Sequence, residues 1–272
     1  DLARDTQGKT RGLIKEKCGN MKILDISQPI DVQDIFIEVN ITKQISSKRN
    51  IELSELVKII QQRHQSNDLK VNRSGLFEEV KLSGVELLEN CSKLVILGRP
   101  GAGKTTFLKY VAVFANKSEL LPGHVPVFVS LKDFQEQDRN VDLKTYIENE
   151  LSHCNVNKES FDRLLKESKI IFLFDGLDEV RKEAFNKVSR QIKEISQVYN
   201  QNRFIITCRL AASEYKFESF LEAEVCEFTE GQVQMFARNW FAAKNSPQKT
   251  EKFKVELKAT RKLVNYQLIL FS

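Results

Sequence analysis

The sequence predicts an α/β fold: a doubly wound, mostly parallel sheet, preceded by a small α+β lead-in and followed by the start of a helical domain. Three observations carry this. Ile170, Ile171, Phe172, Leu173 and Phe174 are apolar at every position, whereas a strand with one wet face would alternate, so this strand is covered on both faces as in a parallel sheet. The apolar run Leu94, Val95, Ile96, Leu97 passes through the glycine-rich stretch Gly98–Thr106 straight into a helix-forming segment, which is the strand–loop–helix context of a phosphate-binding loop. From there to about Phe228, strand-like and helix-like segments alternate.

Taken in order, Asp1 to about Asn20 is polar and interrupted by Gly8, Gly12 and Gly19, so at most a short helix is expected there. Met21–Ile26 and Ile35–Ile41 read as two strands around a turn at Gln28-Pro29, the second by alternation of Ile35, Ile37, Val39 and Ile41 with Phe36, Glu38 and Asn40. Ser54–His64 reads as a helix capped by Ser54, residues 65–75 as a polar loop, and Leu76–Asn90 as a helix beside the first core strand. After the loop, Phe107, Leu108, Val111, Ala112, Phe114 and Ala115 recur at helical spacing with few polar breaks, marking a buried helix. The strand Val125–Leu131, helices Asp142–Ser152 and Ser160–Ser168, the strand Ile170–Phe174, a helix from Glu179 to Tyr199 and the strand Phe204–Cys208 follow. Ala223–Phe228 is expected as an edge strand. Beyond Glu230 two amphipathic helices, marked by Val233, Phe236, Ala237 and Trp240 and then by Phe253, Leu257 and Val264, flank Pro247. The expected domains are therefore a lead-in over residues 1–75, a core over 76–228 and the beginning of a helical domain over 229–272.

Composition excludes several classes. With 272 residues, 41% hydrophobic and 29% charged, the chain supports a folded core and is not a disordered tail. Cys18, Cys91, Cys154, Cys208 and Cys226 are an odd number and scattered, with no C-x-x-C pair, and His64, His124 and His153 stand apart, so neither a disulfide framework nor a zinc site is indicated. Reduced thiols and the absence of a membrane-length apolar stretch or signal-peptide pattern point to a cytoplasmic protein with no membrane partner. The net charge of +5 is mildly basic without an Arg/Lys cluster interleaved with aromatics, so nucleic acid is not indicated. A start on Asp1 and an apolar finish over Leu268–Phe271 lead us to expect a piece of a longer chain.

The chemistry sits in three short motifs. Gly98, Arg99, Pro100, Gly101, Ala102, Gly103, Lys104, Thr105 and Thr106 form the first. Its glycines allow backbone turns closed to residues with a Cβ, successive N–H groups face one anion, and the helix start adds partial positive charge. Lys104 reaches the outer phosphates of a nucleoside triphosphate, and Thr105 offers a hydroxyl to Mg²⁺. The second motif, Asp175-Gly176-Leu177-Asp178-Glu179, stands at the carboxyl end of the unbroken apolar strand, where ligands of open α/β sheets bind. There Asp175 is expected to hold Mg²⁺ with Thr105, while Asp178 and Glu179 supply a carboxylate to orient or deprotonate the attacking water. The third is Arg209, at the end of Arg203-Phe204-Ile205-Ile206-Thr207-Cys208, placed to read the γ-phosphate.

Together these stretches resemble the NACHT class of signal-transduction NTPases, part of the STAND group of P-loop NTPases, and among them bacterial members related to NOD-like immune receptors. The resemblance rests on Gly98–Thr106, on Asp-Gly-Leu-Asp-Glu at 175–179 with a small residue after the metal-binding aspartate, and on Ile-Ile-Thr-Cys-Arg at 205–209; Cys226–Val233 with Phe236, Trp240 and Phe241 resembles the start of the family's helical domain. It implies ATP or GTP with Mg²⁺ as cofactors, slow switch-like hydrolysis, self-association and defence signalling in a full-length protein whose effector and sensor domains are missing from this chain. It also implies adenine-side contacts for Ile35, Phe36 and Ile37. The match departs at Asn265-Tyr266-Gln267-Leu268-Ile269-Leu270, where the family carries a proline. Two other readings stay open: a AAA-type remodelling ATPase, and an interaction module holding nucleotide as a structural cofactor.

Overall fold

The computed structural model describes residues 1–21, 30–42, 82–136, 141–210, 217, 219–243, 246–253 and 255. These fall into two compact units, residues 1–19 with 38–227 and residues 20–37 with 228–272. The helix expected over Ser54–His64, the loop over 65–75, the first part of the helix expected at Leu76–Asn90, and most of the Met21–Ile26 strand lie outside the described residues.

The first unit is built on a seven-stranded sheet. Its strands are β3 (Asn40–Thr42), β4 (Leu82–Ser83), β5 (Lys93–Gly98), β6 (Val125–Ser130), β7 (Ile170–Asp175), β8 (Arg203–Arg209) and β9 (Leu221–Val225), in the order β4-β3-β9-β5-β8-β7-β6. β9, β5, β8, β7 and β6 are parallel neighbours, and the short β3 and β4 run antiparallel at one side. Burial explains the parallel core: Val95, Leu97, Phe172, Phe174, Phe204 and Ile206 join one apolar cluster, while the alternate residues Leu94, Ile96, Ile171, Leu173 and Ile205 are buried as well, so both faces are covered. The cluster includes Leu143, Ile147 and Leu151 of α6 (Leu143–Ser152), Phe161, Leu164 and Leu165 of α7 (Lys158–Lys166), and Val188 and Ile192 of α8 (Lys182–Val198). Within it the Phe172 and Phe204 rings stack at 4.8 Å. α4 (Lys104–Asn116) leaves β5 and packs on β6, β7 and β8, so the chain skips two sheet positions after the glycine-rich loop. No described helix is long and apolar enough to cross a membrane.

Several expectations change. The first residues form α1, a 17-residue helix over Leu2–Cys18 capped by Asp1, where at most a short one was expected. Three of its six buried residues are polar, and Gln7 and Thr10 find partners on the core. Gln7 Nε2 donates to the carbonyls of Ala115 (3.1 Å) and His124 (2.8 Å), Ser118 Oγ donates to Gln7 Oε1 (3.0 Å), and Thr10 Oγ1 donates to Asn116 Oδ1 (3.1 Å). Tertiary hydrogen bonding thus replaces the apolar stripe that sequence reading looks for. β9 is not an edge strand; β3 pairs with it antiparallel through Ile41 and Val225, and the sheet ends at β4 and β6. Val125–Leu131 is cut at Ser130, whose hydroxyl accepts from Asp133 N and starts the five-residue helix α5 (Leu131–Gln135). Finally, the helix expected from Glu179 begins only at Lys182, because Leu177–Glu179 forms a separate 3-10 turn. Earlier in the chain, the helix expected through Leu76–Asn90 gives way to β4 at Leu82–Ser83, and α3 (Gly84–Asn90) takes Ser83 as its cap with a reciprocal bond from Glu86.

The second unit, considered by itself, contains a short antiparallel pair of β1 (Asn20–Met21) with β2 (Ile30–Asp31), the one-turn helix α2 (Val32–Ile35) capped by Asp31, and α9 (Glu230–Ala243). The strand expected over Ile35–Ile41 is therefore split: a helix end, an extended stretch, and then β3. α9 packs against α2, and Phe236 and Trp240 stack along it at 5.7 Å.

Candidate nucleotide site

At the carboxyl edge of the sheet, β5, β8 and β7 end side by side. Gly98 pairs with Arg209 in the register of β5 and β8, and Phe174 pairs with Ile206 in that of β7 and β8. That places the glycine-rich loop, the Thr207–Arg209 strand end and the Asp175–Glu179 turn around one crevice.

The loop owes its shape to its glycines. Gly101 and Gly103 have φ of 77° and 88°, a left-handed backbone that costs any residue with a Cβ roughly 1–2 kcal/mol. Gly103 stands at the cap position of α4, and a Cβ on Gly101 would meet nothing within 4 Å, so the loop is held open by its own backbone. Lys104 Nζ turns back on the loop and donates to the carbonyls of Gly98 (2.9 Å) and Arg99 (3.0 Å). Burial lowers the pKa of this ammonium from the ordinary lysine value, Asp178 opposes that shift, Arg209 adds to it, and Asp175 opposes it further. Arg99 is exposed and pairs with Glu227 at 3.0 Å. Pro100 is exposed, Ala102 is half-buried, and Thr106 is half-buried in the first turn of α4.

Asp175 is the meeting point. Its Oδ1 accepts from Thr105 Oγ1 at 3.0 Å and from Thr207 Oγ1 at 2.7 Å, and the Thr207 oxygen accepts from Gly176 N at 2.8 Å. Burial pushes the Asp175 carboxyl pKa up, with the Thr207 and Thr105 hydrogen bonds pulling the other way. A half-buried carboxylate that accepts two hydroxyl protons and makes no salt bridge among the described residues is a group whose charged form a bound cation would relieve.

The two remaining acids are separated by their partners. Asp178 is only 7% exposed; its Oδ1 accepts from Arg209 N at 2.9 Å and its Oδ2 faces Arg209 Nε at 2.9 Å. Both oxygens are thus engaged by the end of β8. Glu179 is exposed and folds back over Gly176, where a Cβ would come within 3.2 Å of Glu179 Cδ. With φ of 76° at Gly176 as well, a glycine there serves both the backbone and the acid's position.

Of the residues expected from sequence, those of the loop, Asp175, Asp178, Glu179 and Arg209 are brought to this one edge. Ile35, Phe36 and Ile37 belong to the other unit, Ile35 closing α2 and the next two in the extended stretch after it. Two residues escaped sequence reading. Thr207 is a lone hydroxyl inside the apolar run Phe204–Cys208, buried to 1%, and that contrast was a usable signal. Gln135 bonds to the turn that carries Glu179; nothing in its neighbourhood marked it.

Comparison with known proteins adds the following. A protein-family model described as NACHT domain matches residues 92–244. No curated protein matches the chain. Solved structures similar to it include AMPPCP-bound DnaA from Aquifex aeolicus, at 15% identity over 58% of this chain and 47% of that one with a TM-score of 0.36. PCH-2 from C. elegans is another, at 14% identity over 72% of this chain and 48% of that one with a TM-score of 0.36. The chain spans just under half the length of these two structures. The family match runs from the start of β5 to the end of α9, takes in every motif of the crevice and covers more than half of the sequence, and on that ground the chain belongs to the NACHT-domain family of nucleotide-binding NTPases.

Proposed function

We propose that the crevice binds a nucleoside triphosphate, ATP or GTP, together with Mg²⁺, and hydrolyses it slowly, so that occupancy of the site rather than flux through it carries a signal. The observation that carries this reading is the shared Asp175 oxygen, which ties Thr105 of the phosphate loop to Thr207 of the neighbouring strand. A loop that only turned the chain would need no buried acid at its helix start.

The residues fit such a ligand. Gly101 and Gly103 keep the loop free of Cβ atoms, and its N–H groups with the α4 start form an anion cradle. Lys104 would exchange its carbonyl partners for the outer phosphate oxygens. Thr105 and Asp175 would hold Mg²⁺, which when bound neutralises charge between the outer phosphates. Arg99, Pro100, Ala102 and Thr106 complete the loop around the phosphates.

For the reaction itself we assign Glu179 as the acid that orients the attacking water, because it is exposed beside Asp175 and its carboxylate is free of the strand end. Asp178 is given a different role from the one expected of it: with both oxygens on Arg209 it positions that guanidinium. Arg209 would read the γ-phosphate. Base contacts by Ile35, Phe36 and Ile37 come from the family resemblance alone, as do self-association and bacterial defence signalling, which concern the full-length protein.

The test is equilibrium binding of a fluorescent ATP analogue with Mg²⁺. Replacing Lys104 by alanine removes charge-assisted bonds of roughly 1.5–3 kcal/mol, so affinity should fall by about 10- to 150-fold or more. Unchanged affinity would refute the phosphate-loop assignment.

A further inference from the structure

We infer that Gln135 is a positioning residue for turnover, fixing the main chain that carries Glu179; the inference rests on the water-orienting role assigned to Glu179 above. Gln135 is the last residue of α5, the short helix that leaves β6. Its Oε1 accepts from Arg181 N at 2.6 Å and its Nε2 donates to the Glu179 carbonyl at 3.2 Å. One planar amide thus bridges the backbone on both sides of Val180, itself buried. The two ends of the amide are not interchangeable, since flipping it would set oxygen against oxygen and N–H against N–H.

Asp178 fastens the turn on the β8 side; Gln135 is the tie on the side of Val180 and Arg181. Within the turn, Glu179 N donates to Gly176 O at 3.0 Å, but the next bond, from Val180 N to Leu177 O, is long at 3.4 Å. Arg181 stands at the cap position of α8 and makes no side-chain cap. The other link across the gap, between the exposed side chains of Arg181 and Glu136, is 4.0 Å long, a surface pair of little energetic value. Gln135, by contrast, comes from a fixed support: Leu131 and Phe134 of the same helix are 0% and 4% exposed, and the Phe134 ring meets Tyr146 at 5.3 Å. Because the Glu179 side chain lies against Gly176 with Cγ and Cδ at 3.3 and 3.2 Å from a would-be Cβ, a shift of the main chain at Glu179, which the Gln135 amide holds at its carbonyl, would carry the carboxylate off the crevice. A displacement of about 1 Å in a catalytic group is enough to cost one to two orders of magnitude in rate. Gln135 touches neither phosphate nor metal-binding residues, so its effect would fall on the chemical step alone.

The experiment compares ATP hydrolysis and equilibrium ATP binding, both with Mg²⁺, for the unsubstituted chain, Gln135→Met, Glu179→Gln and the double variant. Methionine keeps the length and bulk of the side chain but neither hydrogen-bonding group; Gln135→Ala serves as a second variant, and thermal unfolding reports on the fold. Gln135→Met should bind nucleotide as the unsubstituted chain does, with kcat about tenfold lower, and should change the rate less than about twofold once Glu179 is glutamine. If Glu179→Gln slows turnover and Gln135→Met does not, or if their effects multiply in the double variant, the inference falls by itself. Parallel loss of affinity, stability and rate in both Gln135 variants would mean a supporting role only and would also overturn it. If the unsubstituted chain does not turn over, or Glu179→Gln leaves the rate unchanged, the Glu179 assignment falls and takes the inference with it.

Discussion

Replacing Asp178 by alanine should damage two properties at once, stability and the discrimination of triphosphate from diphosphate. The carboxylate accepts from Arg209 N and faces Arg209 Nε, each at 2.9 Å, and is 7% exposed against 50% for the arginine side chain. Losing the acceptor of the backbone N–H costs about 1 kcal/mol, and the half-exposed ion pair adds only about 0.2–1 kcal/mol because solvent screens it. The sum, roughly 1–2 kcal/mol, corresponds to a fall in Tm of about 2–8 °C for a domain of this size. Asp178→Asn, which keeps an acceptor for the N–H, should recover about half. On binding, Arg209→Ala should weaken ATP by about 10- to 150-fold while leaving ADP nearly unchanged, the value of one guanidinium–phosphate bond of roughly 1.5–3 kcal/mol. If Asp178 acts by aiming that guanidinium, Asp178→Ala should lower the same ATP/ADP ratio and add little to Arg209→Ala in the double variant. Isothermal titration with both nucleotides and thermal unfolding of all four proteins measure this cycle. Additive effects in the ATP/ADP ratio would refute the positioning role, and equal losses for the two nucleotides would withdraw the sensor role of Arg209.

Two further outcomes are expected. Burial raises the Asp175 pKa in the folded state, so the folded chain holds this proton more tightly than the unfolded one; stability from this group is full below the unfolded value and is lost as pH rises through the folded one. Asp175→Asn should therefore flatten the decline of Tm with rising pH in the nucleotide-free protein while weakening Mg²⁺-dependent binding, and an unchanged pH profile would refute the burial argument. Gln7→Leu removes a side chain that is 4% exposed and bonded to Ala115, His124 and Ser118; it should cost about 1–3 kcal/mol without altering nucleotide affinity, and an unchanged Tm in thermal unfolding would show that α1 docks by other means.

What could be read from the sequence was set by how local each signal is. Gly98–Thr106 and Asp175–Glu179 are compact strings whose residue types follow from phosphate and metal chemistry, and the run Ile170–Phe174 announces a two-faced strand without any partner in view. α1 could not be read in the same way, because Thr6, Gln7 and Thr10 interrupt the apolar residues of its inner face and the partners of Gln7 and Thr10 lie more than 100 residues away. β9 is expected as an edge, and what the sequence could not show is its outer neighbour, a three-residue strand from far upstream. The alternation of Ile35, Ile37, Val39 and Ile41 imitates a strand, yet Asp31 accepts from Gln33 N at 2.8 Å and starts a helical turn first. As for Asp178 and Glu179, two adjacent acids are equivalent in sequence. Only the closing of β8 against the turn, 31 positions on, engages one with Arg209 and leaves the other exposed.

The same contacts suggest why the fold is organised as it is around this edge. Asp175 is an acid held where its charge is costly, and Gly176 sits in a backbone conformation that disfavours any side chain; neither feature stabilises the chain. Each is compensated by a neighbour that does no chemistry of its own. Thr207 donates to Asp175 and accepts from Gly176 N, Asp178 fastens the turn to β8, and Gln135 closes it from α5. A strand and a helix thus converge on the main chain between Asp175 and Arg181. Such local costs persist only where the surroundings over-determine them, and this site has that over-determination before any nucleotide binds. A triphosphate would then meet acids and a guanidinium already aimed, and the group that would have to change partners is Lys104, now bonded to the carbonyls of Gly98 and Arg99.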